Sequence, residues 1–284
     1  MLCIDSAQKN DIIQEKQHIV NFYKKQVQTY DNVSYFAYWD QLYKKYDKLI
    51  EEYFSTPGTI IDVGCGTGLI SEKLTYKRHS VFGIDISQDF LTKAKTKCDS
   101  GQNLFVRSIA EKIPLQDNIA DGTICIETMD HIDDIELTVK DISRICKKRG
   151  IFIFDMTPQI TLNVCSVIRN YFKIRPEKTK SQKHHTHDWS IVDDTGVKSS
   201  IAIYKHHLDY VEKLLAKYGF NIIQKYGMHI SSVILFSEDF QVSSKSHMLF
   251  LLHKVFSKID EKILNKINFF QNKATCLIYV CQKS

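Results

Sequence analysis

Residues 59–68, TIIDVGCGTG, decide the fold of this chain. The first five form a short run rich in β-branched side chains, which predicts a buried strand. Three glycines follow within five residues, at Gly64, Gly66 and Gly68. Glycine lets the backbone turn tightly and approach a ligand closely, because no Cβ stands in the way. A helix predicted to begin at Leu69 points its free N–H groups at the same place. The segment therefore indicates a strand, a binding loop and a helix.

Strands and helices alternate beyond this loop. Helical periodicity covers residues 69–76, 87–97, 135–147 and 207–218. Apolar runs typical of strands cover residues 80–85, 104–107, 121–127, 150–155, 220–226 and 274–281. Nearly continuous apolar strands that alternate with helices are typical of a parallel sheet covered on both faces. The sequence therefore predicts an α/β fold.

An apolar stripe at helical spacing precedes the first strand. Its members are Tyr38, Leu42, Tyr46, Leu49 and Tyr53, and charged residues lie between them. Pro57 and Gly58 end the pattern. We therefore expect an N-terminal helical cap over residues 1–56, followed by a domain over residues 57–284 that contains the sheet.

Two insertions interrupt the sheet pattern, at about 159–205 and 228–272. The first contains a polar, basic stretch that we interpret as a lid rather than as core. The second combines lysines every four residues with an opposite apolar stripe, made of Leu252, Val255, Phe256, Ile259, Ile263 and Ile267. An amphipathic helix of this kind can lie on a membrane or cover an apolar pocket. Because a helix between the last two strands is expected to pack on the carboxyl edge of the sheet, we favour a lid.

The composition excludes several classes of protein. A chain with 43% hydrophobic and 25% charged residues is typical of a folded globular protein. The net charge of +5 is too small to indicate a nucleic-acid partner without a clustered patch. No apolar run reaches about 18 residues, so we expect no membrane span, although peripheral contact with a membrane stays open. The eight cysteines form no CxxC pair, which favours a reducing, cytoplasmic compartment.

An acidic residue follows the glycine loop at the distance that a nucleoside site requires. Asp85 ends the next predicted strand, where a carboxylate can accept both hydroxyls of a ribose. The main alternative is a dinucleotide loop of the form GxGxxG. Gly64 and Gly66 match its first two glycines, but Leu69 stands at its third position.

The spacing GxGxG, with Asp62 two residues before it, resembles the first motif of the class I S-adenosylmethionine-dependent methyltransferases. Residues 127–131, ETMDH, resemble the corresponding segment of small-molecule methyltransferases such as those of quinone biosynthesis. The base-directed methyltransferases of nucleic acids carry Asn or Asp, Pro, Pro and an aromatic residue there, and this motif is absent. The resemblance implies a Rossmann-like, seven-stranded, mostly parallel sheet with a reversed last strand. It also implies S-adenosyl-L-methionine as cofactor.

This resemblance assigns cofactor contacts to individual residues. The loop residues expected beside the methionine part are Asp62, Gly64, Cys65, Gly66 and Gly68. Asp85 matches the acid that holds the ribose. Ile86 and Ala110 match apolar residues beside the adenine.

Three further positions complete the predicted cofactor site. The residue before the matched alanine is commonly an aspartate that reaches the adenine amino group, whereas this chain has Ile109, with Ser108 as a candidate substitute. Glu127, at the end of the fourth predicted strand, is assigned to the site. An N-terminal helix covers the cofactor in similar enzymes, and Tyr30 is our candidate for that contact because the pair Tyr30 and Asp31 resembles an element near the start of related enzymes.

His131 is the candidate catalytic residue. A histidine after the fourth strand can act as a base or contact the acceptor, and the alternative is a structural histidine at the sheet edge. The cluster of His184, His185, His187 and Asp188 contains ligand types that metals use, but no separated partner motif completes a site. We therefore predict no metal.

Methyl transfer to a nucleophilic oxygen, nitrogen or carbon of a small molecule is the function that the resemblance implies. Two alternatives stay open. A protein or peptide methyltransferase could use the basic stretch 173–183 as a docking surface. A non-catalytic partner subunit could bind S-adenosylmethionine without transferring its methyl group.

Overall fold

The computed structural model describes residues 16–24, 26–28, 30–31, 37–98, 101–159, 184–192, 198–231 and 247–284. The basic stretch 173–183 and most of the first insertion lie outside the described residues. The strands run over β1 (Thr59–Val63), β2 (Ser80–Asp85), β3 (Leu104–Arg107), β4 (Ala120–Cys125), β5 (Cys146–Met156), β6 (His184–Val192), β7 (Lys198–His206), β8 (Phe220–Met228) and β9 (Cys276–Lys283).

Eight α-helices lie in the described part of the chain. They are α1 (Gln17–Lys24), α2 (Ala37–Tyr53), α3 (Leu69–Tyr76), α4 (Gln88–Lys97), α5 (Ile135–Ile145), α6 (Leu208–Lys217), α7 (His247–Lys262) and α8 (Asn268–Gln271). Single 3₁₀ turns cover Met129–His131 and Leu264–Lys266. Asp134 begins α5 by accepting a hydrogen bond from the backbone N–H of Glu136, and Ser87 begins α4 by accepting one from Phe90.

Seven strands form one sheet in the order β3-β2-β1-β4-β5-β9-β8. The first five pair in parallel, whereas β9 pairs antiparallel with both β5 and β8. The predicted sheet, with its reversed last strand, is therefore confirmed. Strand order reverses at β1, which lies between β2 and β4. Ligands in such sheets bind outside the carboxyl ends of the strands at this point.

Helix α2 shares a hydrophobic core with one face of the sheet. Leu42 and Tyr46 are almost fully buried in the same cluster as Ile60 of β1, Ile124 of β4 and Ile153 of β5. The predicted apolar stripe of the cap therefore packs directly on the parallel strands. Gly122 of β4 permits this contact, because a Cβ there would lie 2.2 Å from the ring of Phe54.

The first insertion contains two strands that its polar composition did not predict. Strands β6 and β7 form an antiparallel hairpin whose register runs from His184 opposite His206 to Val192 opposite Lys198. The hairpin lies beside α1 and the 3₁₀ turn at Met129–His131. In this two-stranded sheet each strand pairs along one edge. The sequence of the hairpin therefore lacks the continuous apolar run that is typical of a central strand.

The second insertion contains the predicted helix, but its orientation differs from our expectation. Helix α7 contacts α2 and β8 and buries His253 and Asp260. The Asp260 carboxylate accepts hydrogen bonds from the backbone N–H groups of Ile230 at 3.0 Å and Ser231 at 2.9 Å. The apolar stripe instead faces outward, and the role of this insertion as a lid stays a prediction. No helix in the described part is long and apolar enough to cross a membrane.

Replacement of Leu42 should test whether the cap is part of the cooperative fold. Leu42→Ala removes a side chain with no exposed surface, so the free energy of unfolding should fall by about 2–5 kcal/mol. The matched control is Leu137→Ala on α5, whose side chain is 47% exposed and should change stability by about 0.5 kcal/mol or less. Urea denaturation followed by circular dichroism measures both. A separate transition for the cap, with the sheet unaffected, would contradict the shared core.

Candidate active site

A cleft opens at the carboxyl ends of β1, β2 and β4. The empty space within it, including the part that is open to solvent, is about 750 Å³. Its lining combines carboxylates, backbone of the glycine loop and aromatic rings from the N-terminal segment. Predicted site residues among them are Tyr30, Gly64, Gly66, Asp85, Ile86, Ala110, Glu127 and His131.

The glycine loop is held by the end of β2. The backbone N–H groups of Gly64 and Cys65 donate to the carbonyl of Ile84 at 2.7 and 3.0 Å. The N–H of Gly66 donates to the Asp85 carboxylate at 2.9 Å. Gly64 has φ +73°, and a Cβ on it would lie 2.0 Å from the Thr128 hydroxyl oxygen. Only glycine fits where the loop passes this close to the segment after β4.

The other loop residues that we assigned to the cofactor have different surroundings. The side chain of Cys65 packs in an apolar cluster with Leu91 and Phe105, so only its backbone takes part in the loop. A Cβ on Gly68 would lie 3.0 Å from Ala94 of α4, which makes this glycine a helix-packing position. Asp62 is buried below the loop. None of these three residues is part of the cleft lining.

Asp85 joins the loop to the cleft. One carboxylate oxygen accepts from Gly66, and the other accepts from the N–H of Ser87 at 2.7 Å. Burial raises the pKa of Asp85 to about 6, while these hydrogen bonds limit the rise. A carboxylate offers about four lone-pair positions, so two backbone donors leave capacity for ligand hydroxyls.

Asp62 supports the loop from underneath. It is 2% exposed and accepts a hydrogen bond from the Ser71 hydroxyl at 2.6 Å. Burial raises the pKa of Asp62 to about 7, although the Ser71 bond opposes the change. The contact ties the end of β1 to the first turn of α3, on the two sides of the glycine loop.

The β3 side of the cleft holds the residues predicted beside the adenine. Ile86 and Ala110 both line it, as do Ser108 and Ile109. The Ser108 hydroxyl donates to the carbonyl of Lys112 at 2.9 Å, so it retains acceptor capacity only. Glu111 adds a carboxylate to this wall and forms an ion pair with Lys16 of the N-terminal segment. The local motif pointed to Ala110 but gave no signal for Glu111.

Aromatic rings from the N-terminal segment and α4 form another wall. The ring centroids of Tyr30 and Phe90 are 4.9 Å apart, and those of Tyr23 and Phe90 are 5.9 Å apart. Lys97 forms an ion pair of 2.7 Å with Asp31, which tethers the N-terminal segment near Tyr30. Tyr30 therefore lines the cleft, and its contact with the cofactor stays a prediction. Tyr38, in contrast, packs on the ring of His229 at 4.0 Å and belongs to the core.

His131 lies on the β4 side of the cleft. Its Nε2 and the hydroxyl of Tyr23 are 2.7 Å apart, and no described residue is a hydrogen-bond partner for its buried Nδ1. Burial lowers the pKa of His131 to about 4, so the ring is neutral near pH 7. Tyr23 was missed by sequence reasoning, because its partner is 108 residues away and no local motif links the two.

Glu127 belongs to a buried carboxyl cluster at the floor of the cleft. Asp155 at the end of β5 accepts from the Glu127 backbone N–H at 2.7 Å and from the hydroxyl of Tyr46. Burial and the neighbouring charge of Asp155 raise the pKa of Glu127 well above its usual value. Cys276 lies beside them, with its Sγ 3.7 Å from an Asp155 oxygen. These three residues are close enough to hold a metal, but hydrogen bonds within the cluster already occupy Asp155.

Comparison with known proteins finds a family model that matches part of this chain. Residues 61–154, from the first strand to the fifth, match the family model described as a methyltransferase domain. About a third of the chain is therefore similar to a methyltransferase domain. Its predicted resemblance to this family is confirmed, and the donor of the family is S-adenosylmethionine.

Two curated relatives match about half of the chain. A putative methyltransferase YqeM of Bacillus subtilis is 34% identical over 132 residues, covering 45% of this chain and 52% of the relative. A ubiquinone biosynthesis O-methyltransferase of Pelagibacter ubique is 29% identical over 132 residues, covering 46% and 53%. This chain therefore spans about half the length of the curated relatives that it matches.

A solved structure extends the similarity of the fold. The magnesium protoporphyrin IX methyltransferase of Synechocystis superimposes with a TM-score of 0.59 and 14% identity. The match covers 95% of this chain and all of the other. The two chains therefore share a fold.

Replacement of Asp62 should change how stability depends on pH. A carboxyl whose folded pKa is raised to about 7 binds more protons in the folded state, so stability falls as pH rises from about 4 to about 7. Asp62→Asn removes this pH dependence. At pH 8 the variant should be more stable than the parent by up to a few kcal/mol, and at pH 4 it should not be more stable. Thermal unfolding across this range measures the difference. Asp89→Asn, at an exposed position of α4, is the control. A constant difference at all pH values would contradict the raised pKa.

Proposed function

We propose that this chain transfers a methyl group from S-adenosyl-L-methionine to a nucleophilic atom of a small molecule. The observation that carries the proposal is one cleft in which the glycine loop, Asp85 and His131 all take part. The name of the Pelagibacter relative favours oxygen as the accepting atom. The matched family and the relatives named methyltransferase support the reaction class.

The residues of the cleft fit this cofactor. Gly66 leaves space that a side chain would fill, since its Cβ would lie 3.8 Å from the rings of Tyr30 and Phe90. Two carboxyl groups in the lining, Asp85 and Glu127, suit a ligand that carries ribose hydroxyls and positive charge. The aromatic rings supply apolar surface and cation–π contact for the same ligand.

Each wall of the cleft has a proposed task. Asp85 would hold the ribose. Ile86 and Ala110 would contact the adenine. The Glu111 carboxylate would also hold the adenine, in place of the aspartate that related enzymes commonly carry where this chain has Ile109. Gly64, Gly66 and Glu127 would hold the methionine part. Asp62, Cys65 and Gly68 would act by fixing the loop.

His131 lies on the other side of β1 from Asp85, because β4 and β2 flank β1 in the sheet. We assign it to the acceptor. S-adenosylmethionine supplies a methyl group on a sulfonium centre, which already has a good leaving group. The protein then has to align the acceptor, exclude water and receive one proton.

Neutral His131 can receive that proton at the imidazole nitrogen that carries none, as the acceptor hydroxyl loses it. The contact with Tyr23 fixes the ring, and Nδ1 would receive the proton in the tautomer whose Nε2–H donates to the Tyr23 oxygen. With a pKa near 4 the ring is a weak base, so orientation of the acceptor by a hydrogen bond contributes alongside proton transfer. Residues 1–56 and 57–284 would act together, since Tyr23 and Tyr30 come from the cap.

Asp85 gives a test of cofactor binding. Asp85→Ala should weaken binding of S-adenosylhomocysteine by about 1.5–3 kcal/mol, the range for hydrogen bonds to a charged group. Isothermal titration calorimetry measures the change, with Asp89→Ala as the exposed control on the next helix. Unchanged affinity in the Asp85 variant would remove this residue from the site. Tighter binding of a nicotinamide dinucleotide by the parent chain would overturn the proposed cofactor.

His131 gives a test of the acceptor side. His131→Ala should lower turnover at saturating cofactor, by about 100-fold if proton transfer dominates and less if orientation does, while cofactor affinity stays nearly constant. Tyr23→Phe should give a smaller loss, because the ring keeps its aromatic contacts and loses only the hydroxyl. Methyl transfer from radiolabelled cofactor to candidate hydroxylated acceptors measures both. Equal turnover by parent and His131→Ala would reduce His131 to a structural residue. A loss confined to cofactor binding would place it on the wrong side of the cleft.

The same assay separates the alternatives. Labelling of acidic peptides but not of small molecules would favour the protein or peptide methyltransferase. Binding without transfer to any acceptor by the purified chain would favour a non-catalytic partner subunit.

A further inference from the structure

An exposed apolar stripe runs along α7 and the segment that follows it. Among the described residues, twelve large apolar side chains are exposed, and seven of them lie between residues 251 and 269. They are Leu251 at 48%, Leu252 at 39%, Val255 at 53%, Ile259 at 37%, Ile263 at 55%, Ile267 at 44% and Phe269 at 60%. Such a concentration of outward apolar surface is typical of a binding surface rather than of scattered exposed residues.

The helix positions these side chains on one face. Leu252, Val255, Ile259 and Ile263 follow one another at intervals of three or four residues, which places them in one row. A different face of α7 packs on the protein, through His253 and Asp260. The apolar row is therefore not the side by which the helix is attached. No described residue of α7 lines the cleft.

Lysines accompany the apolar row. Lys254, Lys258 and Lys262 recur every four residues along one side of it, and Lys266 and Lys273 continue beyond the helix. Residues 247–273 hold only two acidic side chains. Asp260 is buried and hydrogen-bonded to Ser231, and Glu261 forms an ion pair of 3.2 Å with Lys48. The charge along the exposed row is thus strongly positive.

We propose that this surface, the outer face of residues 251–269, lies on an anionic lipid bilayer. Amphipathic helices with lysines beside an apolar stripe lie in the interface plane, with the apolar side chains buried about 5–10 Å. The lysines would contact anionic headgroups while the aliphatic side chains enter the acyl boundary. A second copy of the chain fits less well, because an antiparallel two-fold contact would bring the two lysine rows together.

Vesicle cosedimentation of the full chain tests this proposal. We expect sedimentation with vesicles of phosphatidylcholine and phosphatidylglycerol, little with phosphatidylcholine alone, and weakening at about 0.5 M NaCl because the headgroup attraction is screened. The double variant Ile259→Asp and Ile263→Asp should reduce partitioning into the vesicles by about tenfold or more. The reason is that transfer of the two isoleucine side chains from water into the bilayer favours binding. Neutralising Lys258, Lys262 or Lys266 singly to Gln should reduce it about fivefold.

Matched controls separate the surface from general effects. Leu137→Asp places the same charge at an exposed apolar position of α5, and Lys95→Gln removes an exposed lysine of α4. Both should sediment like the parent. Circular dichroism and cofactor binding check that each variant is folded, and neither readout depends on lipid.

Four outcomes would overturn the proposal. They are no sedimentation with anionic vesicles, equal sedimentation with neutral vesicles, no effect of the α7 variants, and a dimer in light scattering that Ile259→Asp and Ile263→Asp abolish. The last result would assign the surface to a second copy. None of these outcomes concerns methyl transfer, so the proposed function and this inference fail or succeed independently.

Discussion

The structure of the site depends on how the end of β2 holds the glycine loop. The Ile84 carbonyl receives two N–H groups of the loop, and the Asp85 carboxylate receives a third. A strand end and a turn that are separated in sequence thus become one rigid element. Because the loop amides of Gly64, Cys65 and Gly66 are satisfied within the protein, the loop keeps its shape without a ligand, and little ordering entropy remains to oppose binding.

The walls around this loop come from elements far apart in the chain. The N-terminal segment supplies Tyr23 and Tyr30, the turn after β4 supplies His131, and the end of β5 supports Glu127 through Asp155. Parallel strand order makes this convergence possible, since all the carboxyl ends open on one edge. The carboxyl groups collected there have raised pKa values because burial disfavours their charge. A positively charged ligand would restore that charge.

Sequence alone predicted the sheet, the loop and Asp85, because each rests on local spacing or on apolar runs. It assigned Gly68 to the cofactor by motif position but could not indicate its close approach to Ala94, a contact made only when α3 and α4 pack. Tyr23 and Asp155 act through partners distant in sequence, so no spacing could indicate them. For α7, periodicity gave the apolar face correctly but not its direction. The buried face carries Asp260, which accepts hydrogen bonds from Ile230 and Ser231 in the segment after β8, and no hydrophobic pattern indicates such bonds.

The tethers of the N-terminal segment have a consequence for the rate at which ligands exchange. Lys16 with Glu111, Asp31 with Lys97, and the Lys93 ammonium donating to the Val27 carbonyl at 2.5 Å hold this segment beside the cleft. A ligand covered by Tyr23 and Tyr30 would leave more easily once the segment opens and these contacts separate. Local opening of this kind has its own free energy, far smaller than that of global unfolding. If the chain is the methyltransferase that we propose, the frequency of this opening would set a ceiling on turnover, and departure rather than bond making would be the slow step.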